Sequence, residues 1–228
     1  MYTVIDVVKR ANQRGGRMLS LVDLLIAETL DIEQAAWLVA RLEQGSSFLV
    51  GANPGGAGKT TIMAALLGML PDTPAIHLAA GDGRWRNAGA GDCIVAYEIN
   101  DAAYEAYIWG DDLVALTRLG MRGCRIVSNL HADTLDEARY QIVTQCGADE
   151  GGFRAFDLFL PITIPRFGAR APRVHEIWQA DPRTWRRAQP HIAAETREAQ
   201  IAAFLDECRK NEVRRVERLR GGWLAWRG

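Results

Sequence analysis

The stretch "SSFLVGANPGGAGKTTIMAALLGML" (46–70) constrains the fold more than any other. A short apolar run leads into a loop almost without side chains, and Gly58-Lys59-Thr60 then opens an apolar helical segment. A buried strand, a glycine-rich turn and a helix with an ammonium at its start make the context of a phosphate-binding loop, G-x-x-x-x-G-K-[ST]. The first glycine of that pattern falls on Asn53. Asn is one of the few other residues that tolerates positive φ, so Asn53 is expected there at a cost of about 1 kcal/mol, with Pro54 stiffening the turn.

The segments around the loop predict an α/β fold: a RecA-like core with a mostly parallel sheet flanked by helices. Helix starts are expected at Thr3, Ser20 and Asp31, each followed three residues later by Asp6, Asp23 or Gln34. Apolar runs at 47–50, 75–79, 93–98 and 125–130 read as strands alternating with helices. "FDLFLPITI" and "RVHEIWQA", separated by "PRFGARAP", read as a C-terminal antiparallel hairpin, with Pro161 suggesting an edge strand. Residues 193–219 read as one long C-terminal helix with Ile201, Phe204, Leu205, Cys208, Val216 and Leu219 on its apolar stripe. This divides the chain into a helical lead-in (1–45), a core (46–182) and a basic tail (183–228).

Composition narrows the partners. The net charge is -1, but from Arg183 onward there are 11 Lys+Arg against 6 Asp+Glu. Glu207, Glu212 and Glu217 interrupt that basic run, which argues against nucleic acid. The four cysteines form no C-x-x-C pair and are expected to be reduced thiols in a cytoplasmic protein. No apolar run is long enough to span a bilayer, and "MYTVIDVVKR" lacks the features of an export signal.

The loop predicts its own chemistry. Residues Asn53, Pro54, Gly55, Gly56, Ala57, Gly58, Lys59, Thr60 and Thr61 are expected to bind nucleotide, their N–H groups wrapping a β-phosphate at a helix N-terminus. Lys59 would neutralise β/γ oxygens and the Thr60 hydroxyl would ligate Mg²⁺. Glu98, ending "CIVAYE", is placed to orient or deprotonate an attacking water and to reach the metal through water. His131, after "RIVSNL", belongs to the same carboxyl edge of the sheet.

With these sites in order, the chain resembles the secretion-ATPase superfamily, the motors of type II and type IV secretion and of type IV and tight-adherence pilus assembly. The likeness covers about residues 19–180, through "LSLVDLLIAETLDIEQAAWLVARLEQGSSFLVGANPGGAGKTT", "GDCIVAYEIND", "SNLHADTLDEA" and "DLFLPITIPRFGARAPRVHEI". It implies ATP and Mg²⁺ as cofactors, Glu98 as catalytic glutamate, His131 as γ-phosphate sensor, and a weaker aspartate-box match at Asp92. It also implies a homo-oligomer (a hexamer in the family) and a membrane platform protein as partner, hence a place at the inner face of the membrane. Against the family pattern, the amino-terminal domain is missing, the arginine-bearing segment shrinks to "AAGDGRWRNAGAG", and Asn100 stands where the family has an arginine. Arg84, Arg86, Arg122 and Arg125 are the candidates for an arginine finger. The alternative is a regulatory module that binds nucleotide with little or no hydrolysis. The tail is expected either to pack on the core or to dock a partner through "WLAW".

Overall fold

The computed structural model describes residues 2–12, 15–72, 75–164 and 171–228. Its three opening helices form where the caps predict. α1 (Val4–Arg10), α2 (Leu21–Ile26) and α3 (Ile32–Glu43) each begin with a reciprocal capping box, at Thr3/Asp6, Ser20/Asp23 and Asp31/Gln34. After Gly45 the chain enters β1 (Phe48–Gly51), crosses the loop, and forms α4 (Lys59–Leu67).

The remaining parallel strands are β2 (Ile76–Leu78), β3 (Cys93–Val95), β4 (Glu98–Ile99), β5 (Tyr107–Ile108), β6 (Arg125–Leu130) and β7 (Leu158–Thr163). Between them lie α5 (Asp111–Met121), α6 (Leu135–Arg139), which runs into a π-helical turn over Tyr140–Gln145, and α7 (Glu150–Arg154). β8 (Arg173–Val174), β9 (Trp178–Ala180) and β10 (Trp185–Arg187) add antiparallel pairings. The main sheet order is β10-β9-β7-β1-β6-β3-β2, with β4 continuing beside β6 and pairing β5. Parallel strands covered on both faces need apolar residues on both, and β1 obeys: Phe48 and Val50 join the core under α1–α4, while Leu49 joins the core under α5–α7.

The expected hairpin is present as β7 with β8 and β9, its connection at 165–170 lying outside the described residues. β7 is internal, however, and not an edge strand. Pro161 sits opposite Gly51 of β1, in the gap between the residues that pair with β9 and those that pair with β8.

The tail departs from the expected single helix. It forms α8 (Arg197–Lys210) and α9 (Val216–Arg227), separated by a turn in which Glu212 adopts φ 50°. Asn211 and Glu212 interrupt the apolar stripe there, and Arg215 bridges to Leu19. The turn folds α9 back so that Val216, Leu219 and Trp223 are buried, Trp223 against Phe204 with ring centroids 5.6 Å apart. Of "WLAW", Trp223 is thus packed on the molecule, while Trp226 stays 40% exposed. All four cysteines are free thiols, with Cys93, Cys124 and Cys146 buried and Cys208 half-buried. Among the described residues no helix is long and apolar enough to cross a membrane.

Candidate functional site

The loop leaves β1 at Gly51 and turns through Gly56 (φ 85°) and Gly58 (φ 97°). These left-handed positions favour glycine because a Cβ would crowd the following carbonyl. Gly58 is the N-cap of α4 and supplies no side-chain cap, so the first-turn N–H groups stay available to an anion. Asn53 does not adopt positive φ, so the expected strain is absent. It instead turns toward the segment after β6. Its N–H donates to Asp133 Oδ1 at 2.7 Å, and its amide nitrogen donates to Asp133 Oδ2 and Glu137 Oε2, both at 3.1 Å.

Glu98 reaches the site through a break that the sequence did not announce. "CIVAYE" is not one strand: Ala96 still donates to Val127, but the Tyr97 N–H turns to Ala106 O, and pairing resumes in β4 beside β5 and the tip of β6. Asn129 holds the break open. It is fully buried in β6, and its amide donates to Tyr97 O at 2.9 Å. Sequence reasoning missed Asn129, although an amide inside the apolar run "RIVSNL" needs a partner when buried.

The three expected chemical groups converge. Lys59 Nζ donates to Ala52 O at 3.0 Å and lies 3.4 Å from His131 Nδ1 and 3.5 Å from Glu98 Oε1. His131 Nδ1 lies 2.8 Å from Asn53 O, and its Nε2 is 2.6 Å from Glu98 Oε1. A carbonyl can only accept, so Nδ1 carries a proton in that contact. Glu98 Oε1 is close enough to the Lys59 ammonium for ion pairing and lies beside His131 Nε2, yet it is buried without a hydrogen bond of proper alignment. Distance and angle disagree here, and the angle decides, since a misaligned contact satisfies little of a buried oxygen's need. Burial pushes the Lys59 ammonium below the ordinary lysine value, with the Glu98 and Asp133 carboxylates opposing it.

These groups open onto a cleft of about 440 Å³. Residues 55–61 form one wall with Glu98 and His131, and Ala11, Asn12, Gly15, Arg17, Met18, Leu19 and Tyr107 complete it. Asn53 and Pro54 do not line it. Hard oxygen donors such as Thr60 Oγ1 and the under-bonded Glu98 carboxylate suit Mg²⁺, which takes few protein ligands and shares the rest with phosphate and water. Among the described residues no group of three or more His, Cys, Asp and Glu side chains forms a separate metal site.

Other candidates lie elsewhere. Asp92 precedes β3, at the opposite end of the strand run from Glu98, where it accepts from the Gly89 N–H at 2.9 Å and contacts His77 at 3.1 Å. Arg125 is buried at the start of β6 and donates to Leu42 O at 2.7 Å, and Arg122 ends α5. Both face the far edge of the sheet. Arg84 pairs with Asp82 and Arg86 with Asp112, near the carboxyl edge but outside the cleft.

Scans against protein-family models and against curated proteins return no match. Solved structures do match. One is the VirB11 ATPase of the Brucella suis type IV secretion system, 14% identical over 79% of this chain and 65% of that one, with a TM-score of 0.44. Another is the Legionella pneumophila ATPase DotB, 12% identical over 76% of this chain and 55% of that one, with a TM-score of 0.45. The chain therefore spans less than two thirds of the length of either structure.

Proposed function

We propose that the chain is a Mg²⁺-dependent ATPase of the secretion and pilus-assembly type, acting at the cytoplasmic face of a membrane as an oligomer with a membrane platform protein. The observation that carries the ATPase reading is the convergence of Lys59, Glu98 and His131 within 3.5 Å contacts at the strand tips beside the glycine loop. The motor role rests on the motif resemblance alone.

Phosphoryl transfer asks little covalent chemistry of a protein and much positioning and charge stabilisation. In this reading the loop N–H groups and Lys59 take the β- and γ-phosphate oxygens. Glu98, already facing the cleft with an oxygen short of hydrogen bonds, orients a water and takes up its proton. His131 reports the γ-phosphate through its edge toward Glu98. Mg²⁺ held by Thr60, and by Glu98 through water, would supply further neutralisation of the phosphate oxygens.

Steady-state ATP turnover by wild type and Glu98→Gln tests this. The expected result is a wild-type rate about 100-fold above the variant's. A wild type no faster than Glu98→Gln, but still binding ATP, would replace the enzyme with the regulatory nucleotide-binding module.

A further inference from the structure

We propose that Asn53 is a positioning residue that fastens the phosphate loop to the segment carrying His131, with Asp133 and Glu137 as the other half of the fastening. The inference rests on the ATPase reading of the same cleft and adds residues to which the loop motif gives no role.

Conformation does not explain Asn53, because its backbone avoids the left-handed region where glycine or Asn would be required. Its side chain does. The amide nitrogen bridges two carboxylates, Asp133 Oδ2 and Glu137 Oε2, and the backbone N–H adds Asp133 Oδ1. Those carboxylates are themselves braced: the Asp133 N–H donates to Glu137 Oε2 at 2.7 Å, and Thr134 caps α6 through the Glu137 N–H at 3.2 Å. The same residue also holds the imidazole, since Asn53 O receives His131 Nδ1 at 2.8 Å.

Asn53 thus grips one strand tip at two points, the ring and the carboxylates two and six residues beyond its Cα. With Nδ1 committed to the main chain, Nε2 is aimed at Glu98. Glycine at 53 would keep the carbonyl and lose the bridge. Asp133 and Glu137 would then face each other without their shared donor, leaving only the main-chain contacts of residue 53 to hold the His131 segment to the loop. Restoring the ordinary motif is therefore expected to impair this enzyme.

The test is a double-mutant cycle of Asn53→Gly and Asp133→Ala, read by kcat and KM for Mg·ATP and by the His131 imidazole NMR signals of the nucleotide-free protein. Each single variant should lower kcat about tenfold with KM within about twofold, the scale of one lost hydrogen bond to a charged group. The double variant should fall well short of the product of the two single effects, because both break the contact between the Asn53 amide and Asp133. All three should exchange the Nδ1 proton faster than wild type, as the loop and the His131 segment loosen. An unchanged or faster Asn53→Gly, a double variant down about 100-fold as independent effects multiply, or an unaltered imidazole spectrum would overturn the proposal. A wild type that neither binds nor hydrolyses ATP would sink the ATPase reading, and the imidazole spectra would still decide the fastening.

Discussion

Two of the places where the described residues bury charge treat it in opposite ways. Between α3 and the tail, Glu43 receives both Arg197 Nε and Nη2 at 2.7 Å and Arg227 Nε at 3.1 Å. Nearby, Arg220 is 9% exposed and gives Nη1 to Leu70 O at 2.6 Å. In the cleft, Glu98 is also 9% exposed, but its Oε1 has the Lys59 ammonium at 3.5 Å and no aligned hydrogen bond. Equal burial with unequal satisfaction separates a structural clasp from a site with bonding capacity left for a ligand.

Removing charge from the two places should therefore move different observables. Lys59→Ala should cost about 1,000-fold in turnover and abolish tight nucleotide binding, while the melting temperature holds or rises as a buried ammonium is removed. A large fall in melting temperature would erase the contrast. Glu98→Gln, about 100-fold down in kcat, should melt within about 3 °C of wild type. Glu43→Ala should do the reverse: about 2 kcal/mol less stable in urea, with the KM for ATP unchanged.

The smallest expected effects are in the pH profile, where both groups make stability rise with pH but in separate windows. Hydrogen bonding from Arg197, with help from Arg227 and against burial, holds the Glu43 carboxyl below its usual range. Its stabilisation is complete above the ordinary glutamate value and fades as pH falls through the depressed one. Lys59 is depressed by burial, so the folded state holds its proton less tightly than the unfolded chain. Stability should therefore rise with pH from the depressed value up to the ordinary lysine value. Urea titrations of wild type, Glu43→Ala and Lys59→Ala across pH would resolve the two slopes.

What the sequence made legible was local. Thr3/Asp6, Ser20/Asp23 and Asp31/Gln34 spell their helix starts within four residues, and Gly58-Lys59-Thr60 spells a strand-loop-helix turn. That Lys59, Glu98 and His131 meet follows from the rule that parallel strands deliver their carboxyl ends to one edge. The misreadings all depended on partners far along the chain. The β3–β4 break needs Asn129 and Ala106, the fold-back of α9 needs Leu19 and Phe204, and the backbone of Asn53 is set by Asp133. Periodicity cannot register such contacts.

Tyr97 stands directly before Glu98, and its hydroxyl donates to Val7 O in α1 at 3.0 Å. Helix α1 is thereby wired to the residue beside Glu98, across 90 positions of chain. Whatever tugs on the leading segment, be it a fusion tag, a trimmed start or a neighbouring subunit, pulls on the shoulder of the carboxylate. Helix α1 is thus a handle on the geometry of the cleft.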